Sequence, residues 1–164
     1  FIGADTPNKG ARRVLEAVHR LHQDNLGDIA LLLVGATEAL TGERGVEFAG
    51  KVAPREIPWY MAASDIFVLP TTNEGMCNSI IEAMAVGLPV VSSDLPFNRE
   101  LLSQNTGILI DPWDIEAIAL AIRRLRQDVE LRQRMSVAGR QQAERMNIQD
   151  RVKKVEQMLD SIVQ

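Results

Sequence analysis

Cysteine, aromatic residues and long apolar runs are all scarce in this chain, and each scarcity removes a class of protein. Cys77 is the single cysteine among 164 residues, so no disulfide forms within the chain. That usage suits a reducing compartment. Aromatics make up 4% of the residues while aliphatics are plentiful, the ordinary balance of an α/β domain. The formal charge is −4, so there is no basic surplus to argue for nucleic acid. No apolar run reaches the length of a membrane span, and no stretch reads as a signal peptide. Neither Gly-x-Gly-x-x-Gly nor a P-loop occurs, which argues against a nicotinamide dehydrogenase and against an ATP hydrolase of the P-loop type. Repeats, low-complexity tracts and internal linkers are also lacking, and 164 residues suffice for one domain with a sizeable core.

What is present alternates between strands and helices. Val14, Leu15, Val18 and Leu21 lie on one face of a helix over residues 12–24. The continuous apolar run Ile29–Val34 closed by Gly35 reads as a buried parallel strand. Residues 37–45 are polar, a loop or short helix, and residues 46–50 read as a short strand. A short helix with Pro58 in its first turn covers 57–64, and a strand covers 65–70. A helix over 79–86 is stopped by Gly87-Leu88-Pro89. Strands at 89–92 and 106–110 flank a short helix over 97–103. Asp114 is placed to cap the next helix, and two more follow over 129–146 and 148–163. This alternation predicts a Rossmann-like parallel sheet with helices on both faces. The opening Phe1-Ile2-Gly3 reads as the end of a strand already under way, as in a piece of a longer protein.

Two regions carry charge with meaning. Residues 123–154 hold ten basic and four acidic residues, either solvated helix faces or a surface for anionic lipid or a partner domain. The more informative stretch is 74–94, where seven residues separate Glu74 from Glu82. Glu74 follows a strand, at the carboxyl edge where open α/β sheets bind ligands. Ser79-Ile80-Ile81-Glu82 fits a capping box, with Glu82 bonding back to the cap residue. The same helix start also suits a diphosphate, through its free N–H groups and partial positive charge, with Glu82 in the first turn accepting bonds from a ribose diol. Lys9-Gly10 follows the first strand and opens the first helix, so Lys9 reaches the same crevice or is a solvated surface lysine. His19 and His22 lack the cysteine or carboxylate pattern of a metal site. Cys77 has no histidine partner in the pattern and reads as a small residue near a helix start.

Taken in order, Phe1-Ile2-Gly3 with Asn8-Lys9-Gly10, Leu32-Leu33-Val34-Gly35, Phe48-Ala49-Gly50-Lys51-Val52, Ala62 through Pro70, Glu74-Gly75 through Glu82-Ala83-Met84-Ala85, Gly87-Leu88-Pro89-Val90-Val91 and Thr106-Gly107-Ile108-Leu109 cover nearly the whole chain. This set resembles the nucleotide-sugar-binding half of retaining GT-B glycosyltransferases of family 4, the glycosyl transferases group 1. The resemblance implies that residues 1–164 form the C-terminal donor domain, with the acceptor-binding N-terminal domain outside this chain. It implies metal-independent transfer of a hexosyl unit from a UDP- or GDP-linked sugar, without a cofactor, to a glycan or lipid-linked acceptor in polysaccharide biosynthesis. The implied location is cytoplasmic, with peripheral contact at the inner face of the membrane in the parent protein. Half a cleft is expected to transfer nothing alone, since it loses orientation and water exclusion.

The implied roles fall on individual residues. Glu82 holds the ribose hydroxyls, Glu74 the hydroxyls of the donor sugar, and Lys9 the diphosphate. Backbone around Gly75, Met76, Cys77 and Asn78 cradles the distal phosphate. Backbone at Gly50, Lys51 and Val52 reads the base, and Gly3 belongs to the same mouth. The chain departs from the family pattern twice. Ala4 stands where an arginine is usual five residues before the lysine, and Cys77 replaces a frequent glycine. A non-catalytic nucleotide-binding or interaction module that kept the fold is the competing reading.

Overall fold

The structure is a computed structural model, and it describes residues 1–3, 6–35, 42, 44–73 and 77–146. The expected helix over 148–163, most of the segment 37–45, Ala4, and the predicted site residues Glu74, Gly75 and Met76 lie outside the described residues.

Helix α1 (Ala11–Gln23) buries Val14, Leu15, Val18 and Leu21, the spacing read from the sequence. Each such aliphatic side chain removed from water contributes about 1.5–3 kcal/mol. Strand β1 (Leu31–Val34) pairs in parallel with β2 (Val46–Gly50). On its other side β1 receives the opening residues. The Phe1 nitrogen donates to Leu32 O at 2.9 Å, Val34 N to Phe1 O at 3.0 Å and Gly3 N to Val34 O at 2.9 Å. The expected first strand is thus reduced to a parallel bridge between Ile2 and Val34. A 3-10 turn (Pro54–Glu56) runs into α2 (Ile57–Ala62), with Pro58 in the first turn, where no intrahelical N–H is needed.

The second half forms its own parallel ladder. Strand β3 (Phe67–Leu69) pairs with β4 (Val90–Ser93), and β4 with β5 (Gly107–Ile110). Leu69, Val90 and Val91 are fully buried, which explains their uninterrupted apolar sequence. Helix α3 (Asn78–Val86) links β3 to β4, and α4 (Pro96–Leu101) links β4 to β5. Helices α5 (Ile115–Gln127) and α6 (Val129–Arg145) complete the described chain. Asp114 caps α5 as expected, its carboxylate accepting from Ala117 N at 2.9 Å. Helix α5 packs on α1, and α6 on α3. Gly139 of α6 lies against Met84 of α3, and Arg140 donates to Val86 O at 3.3 Å, at the end of α3.

In the described part of the basic stretch, residues 123–146, several arginines find partners within the protein. Arg126 pairs with Asp28 at 2.8 Å, Arg123 with Asp24, and Arg134 with Glu130 at 3.7 Å. Arg20 of α1 adds a pair to Glu116 of α5 at 3.5 Å. Exposed pairs of this kind orient helices more than they stabilise them. Among the described residues no helix is long and apolar enough to cross a membrane.

Candidate donor site

The carboxyl ends of the parallel strands form one edge, and most of the described site residues gather there or on the helix that starts from it. The two ladders run outward from the junction between the opening segment and β3, the switch point at which such sheets open a crevice. Across the junction Thr72 N donates to Asn8 O at 2.8 Å, so the exit of β3 is tied to the turn that bears Lys9. That turn is closed internally by Lys9 N and Gly10 N, both donating to Thr6 O, at 3.0 and 3.3 Å.

Three strand-end glycines line the edge beside it. Gly35 N donates to Gly50 O at 2.7 Å, and a Cβ on Gly35 would stand 3.3 Å from Gly3 O. A Cβ on Gly3 would touch the Lys9 side chain, 3.6 Å from its Cδ. The structure therefore brings Gly3, Lys9 and Gly50 into one continuous rim. Lys51 next to Gly50 is exposed and Val52 is half-buried, leaving this backbone accessible at the edge.

Helix α3 supplies the other described residues and corrects the sequence reading. The helix begins one residue earlier than expected, at Asn78, with buried Cys77 as its N-cap residue. Ser79 is therefore inside the first turn and cannot be the cap of a capping box. Glu82 is at the fifth helical position, in the second turn rather than the first, and is exposed. Among the described residues no side-chain hydrogen bond caps the helix. Glu82 is thus released from a capping duty, and because helical side chains lean toward the N-terminus its carboxylate inclines toward the start of the helix. Asn78 is exposed at the helix start.

A buried polar network holds the exits of β3 and β4 below the site. Ser92 Oγ donates to Leu69 O at 2.7 Å and Ser93 Oγ donates to Thr71 O. Asn98 Nδ2 donates to Ser92 Oγ at 3.0 Å and to Ser93 O at 2.9 Å. Sequence reasoning passed over these residues; the polar pair Ser92-Ser93 ending an apolar run was the available signal. It also passed over Arg13, whose guanidinium donates to Pro7 O at 2.9 Å and Pro70 O at 2.7 Å. Burial pushes the Arg13 pKa down.

His22 has a structural partner, its Nε2 being 2.7 Å from Ile29 O. Among the described residues no three His, Cys, Asp or Glu side chains gather as a metal site.

The family model for glycosyl transferases group 1 matches residues 1–128. The chain belongs to this family. Among the relatives of this group 1 glycosyltransferase chain, the O-antigen chain mannosyltransferase B of Escherichia coli is 30% identical over 158 residues, spanning 90% of this chain and 41% of that protein. The phosphatidyl-myo-inositol mannosyltransferase of Mycobacterium tuberculosis is 37% identical over 154 residues, spanning 85% of this chain and 40% of its own length. The crystal structure of Anabaena HepE in complex with UDP superposes with a TM-score of 0.81 at 24% identity, over 98% of this chain and 48% of that one. A glycosyltransferase from Rickettsia africae superposes with a TM-score of 0.85 at 19% identity over 99% of this chain. These likenesses show the fold, the Rossmann-like α/β half of a GT-B glycosyltransferase. The chain spans about two-fifths of the length of the curated relatives it matches.

Proposed function

We propose that this chain is the donor half of a retaining, metal-independent hexosyltransferase. It binds a nucleoside-diphosphate sugar, UDP- or GDP-linked, for transfer to a glycan or lipid-linked acceptor held by an N-terminal partner domain. The observation that carries the reading is the junction at the carboxyl edge. Lys9 lies against Gly3 on a turn tied to the β3 exit, and the strand leads to a helix whose N-terminus no side chain caps. A lysine and a helix N-terminus facing one crevice suit a diphosphate, whose negative charge grows as the glycosidic bond breaks. Solved neighbours described as complexes with UDP, with UDP and glucose, and with UDP-glucose support a nucleotide-sugar ligand.

The residue roles assigned here are those the family resemblance implies. Lys9 stabilises the leaving diphosphate together with the amides of Met76, Cys77 and Asn78. Glu82 accepts bonds from the ribose hydroxyls, and Glu74 orients the donor sugar beside Gly75. Backbone at Gly50, Lys51 and Val52 reads the base. Calorimetric titration of UDP and GDP into the full-length protein, its Glu82→Ala variant and its Lys9→Ala variant tests this. Loss of charge-assisted bonds worth about 1.5–3 kcal/mol weakens binding by about 10- to 150-fold for Glu82→Ala. The melting temperature stays unchanged, because Glu82 is exposed and caps nothing. Failure of the wild type to bind either nucleotide would sink the reading. Binding without nucleotide release from any sugar donor would favour the non-catalytic module instead.

A further inference from the structure

Arg13 occupies an unusual place for a charged residue on an amphipathic helix. It comes from the first turn of α1, yet its guanidinium lies beneath the Lys9 turn and beside the exit of β3. Nη1 donates to Pro7 O at 2.9 Å, and Nη2 donates to Pro70 O at 2.7 Å, across 57 residues of sequence. Its Nε is buried without a hydrogen-bond partner among the described residues. The guanidinium also stacks on Trp113, 4.5 Å from the ring centroid. Trp113 is 65% exposed and sits on the turn after β5, held by its N–H to Asp111 Oδ1 at 2.9 Å. One planar group thus joins three segments at the carboxyl edge: the Lys9 turn, the β3 exit and the β5 exit. A lysine could not do this, because a single ammonium lacks the fixed two-pronged geometry.

The neighbouring glycine is fitted to the same arrangement. A Cβ on Gly10 would stand 2.6 Å from Arg13 Nη2 and 2.8 Å from Pro70 O. The Lys-Gly pair therefore has a local meaning. Residue 10 is emptied so that the guanidinium and strand exit can close against the turn, and residue 9 is left on its rim against Gly3.

We propose that Arg13 is a positioning residue for donor binding, with Trp113 as its cover: it fixes the Lys9 turn against the β3 exit, so that Lys9 meets the diphosphate without first being ordered. This rests on the donor-site reading of Lys9 given above. Its consequence is specific, since an effect that acts through Lys9 disappears when Lys9 is removed.

The test is a double-mutant cycle on the full-length protein, read as the dissociation constant for UDP or GDP, whichever the wild type binds. Arg13→Lys retains charge and loses the fork. It is expected to weaken binding about tenfold in the wild-type background and less than about twofold in the Lys9→Ala background. Trp113→Ala, an exposed change that leaves the fold intact, is expected to act in the same direction and more weakly, again only when Lys9 is present. Its cycle decides the matter if Arg13→Lys does not fold. Equal losses with and without Lys9 would overturn the proposal and reduce Arg13 to a stability element, as would no loss in either background. A wild type that binds neither nucleotide overturns the donor-site reading itself, and this proposal with it.

Discussion

Gly10→Ala isolates the closest packing in the site. Two terms add at this position. The residue has φ +81, in the left-handed region, which costs an alanine about 1–2 kcal/mol. The new Cβ would also stand 2.6 Å from Arg13 Nη2, 2.8 Å from Pro70 O and 2.9 Å from Pro70 Cγ. Since two of those atoms belong to a proline at a strand exit, the guanidinium is the group that gives way. Its charge-assisted bond to Pro70 O, worth about 1.5–3 kcal/mol, is then lost. The expected destabilisation is about 2.5–5 kcal/mol, a large share of the 5–15 kcal/mol typical of a domain. Two controls separate the terms. Gly50 has φ +66, but a Cβ there would meet nothing nearer than Phe48 Cε1 at 3.6 Å, so Gly50→Ala carries only the backbone term. A Cβ on Gly27 would have nothing within 4 Å and needs no left-handed backbone, so Gly27→Ala is expected to be neutral or slightly stabilising. The restriction of the unfolded chain is common to all three and cancels in the differences. Urea unfolding followed by circular dichroism, compared at constant m, measures the series. If Gly10→Ala fell within about 0.5 kcal/mol of Gly50→Ala, the steric part of the argument would be wrong.

Two further outcomes follow from the electrostatics and from Cys77. The hydrogen bond from Arg126 holds the Asp28 carboxyl below the usual aspartate range, and the bond from Arg99 does the same for Asp94. Both shifts are downward, so the stability they confer is fully present above the unfolded aspartate value of about 3.9 and is lost as pH falls through the lower folded values. Urea midpoints are therefore expected to hold down to about pH 4.5 and then decline. Asp28→Asn should decline less steeply, and about 1 M NaCl should flatten the difference; an identical slope for the variant would refute the assignment. Cys77 is 2% exposed, so a disulfide reagent should modify it only in urea, and prompt labelling of the native protein would contradict the burial.

Much of the scaffold was legible because its signals are local and redundant. The 3.6-residue spacing of α1, the continuous apolar runs of β1 and β4, and the Asp114 cap depend on neighbours a few residues away. The start of α3 was not legible for the opposite reason. Ser79 and Glu82 match a capping box in sequence, but the helix begins at Asn78, placing Ser79 inside the first turn. A four-residue pattern cannot choose between adjacent registers when the deciding residue, Cys77, is a poor capper. The Arg13 fork was hidden more deeply, since Pro7 and Pro70 meet it only through the chain fold. The partners of the basic stretch were hidden in the same way. Counting charges at 123–154 could not reveal that Arg123, Arg126 and Arg140 point back at Asp24, Asp28 and Val86 O. At the carboxyl edge, Lys9, Gly3 and Gly50 were singled out by the sequence, while the contacts that bring them together were not.

Helix α3 is finished at one end and unfinished at the other. Its last turn is closed by Gly87 and by Arg140 from α6, whereas its first turn starts from a cysteine that offers no cap. Serine at position 77, close to cysteine in size, would raise helix stability by about 0.5–2 kcal/mol by accepting from the amide of Ser79 or Ile80. On the donor-site reading proposed above, its hydroxyl would also stand at the helix end assigned to the diphosphate. On that reading residue 77 is where thermal robustness and ligand affinity compete, so selection for a hardier variant of this chain would be pulled toward a weaker binder at that position.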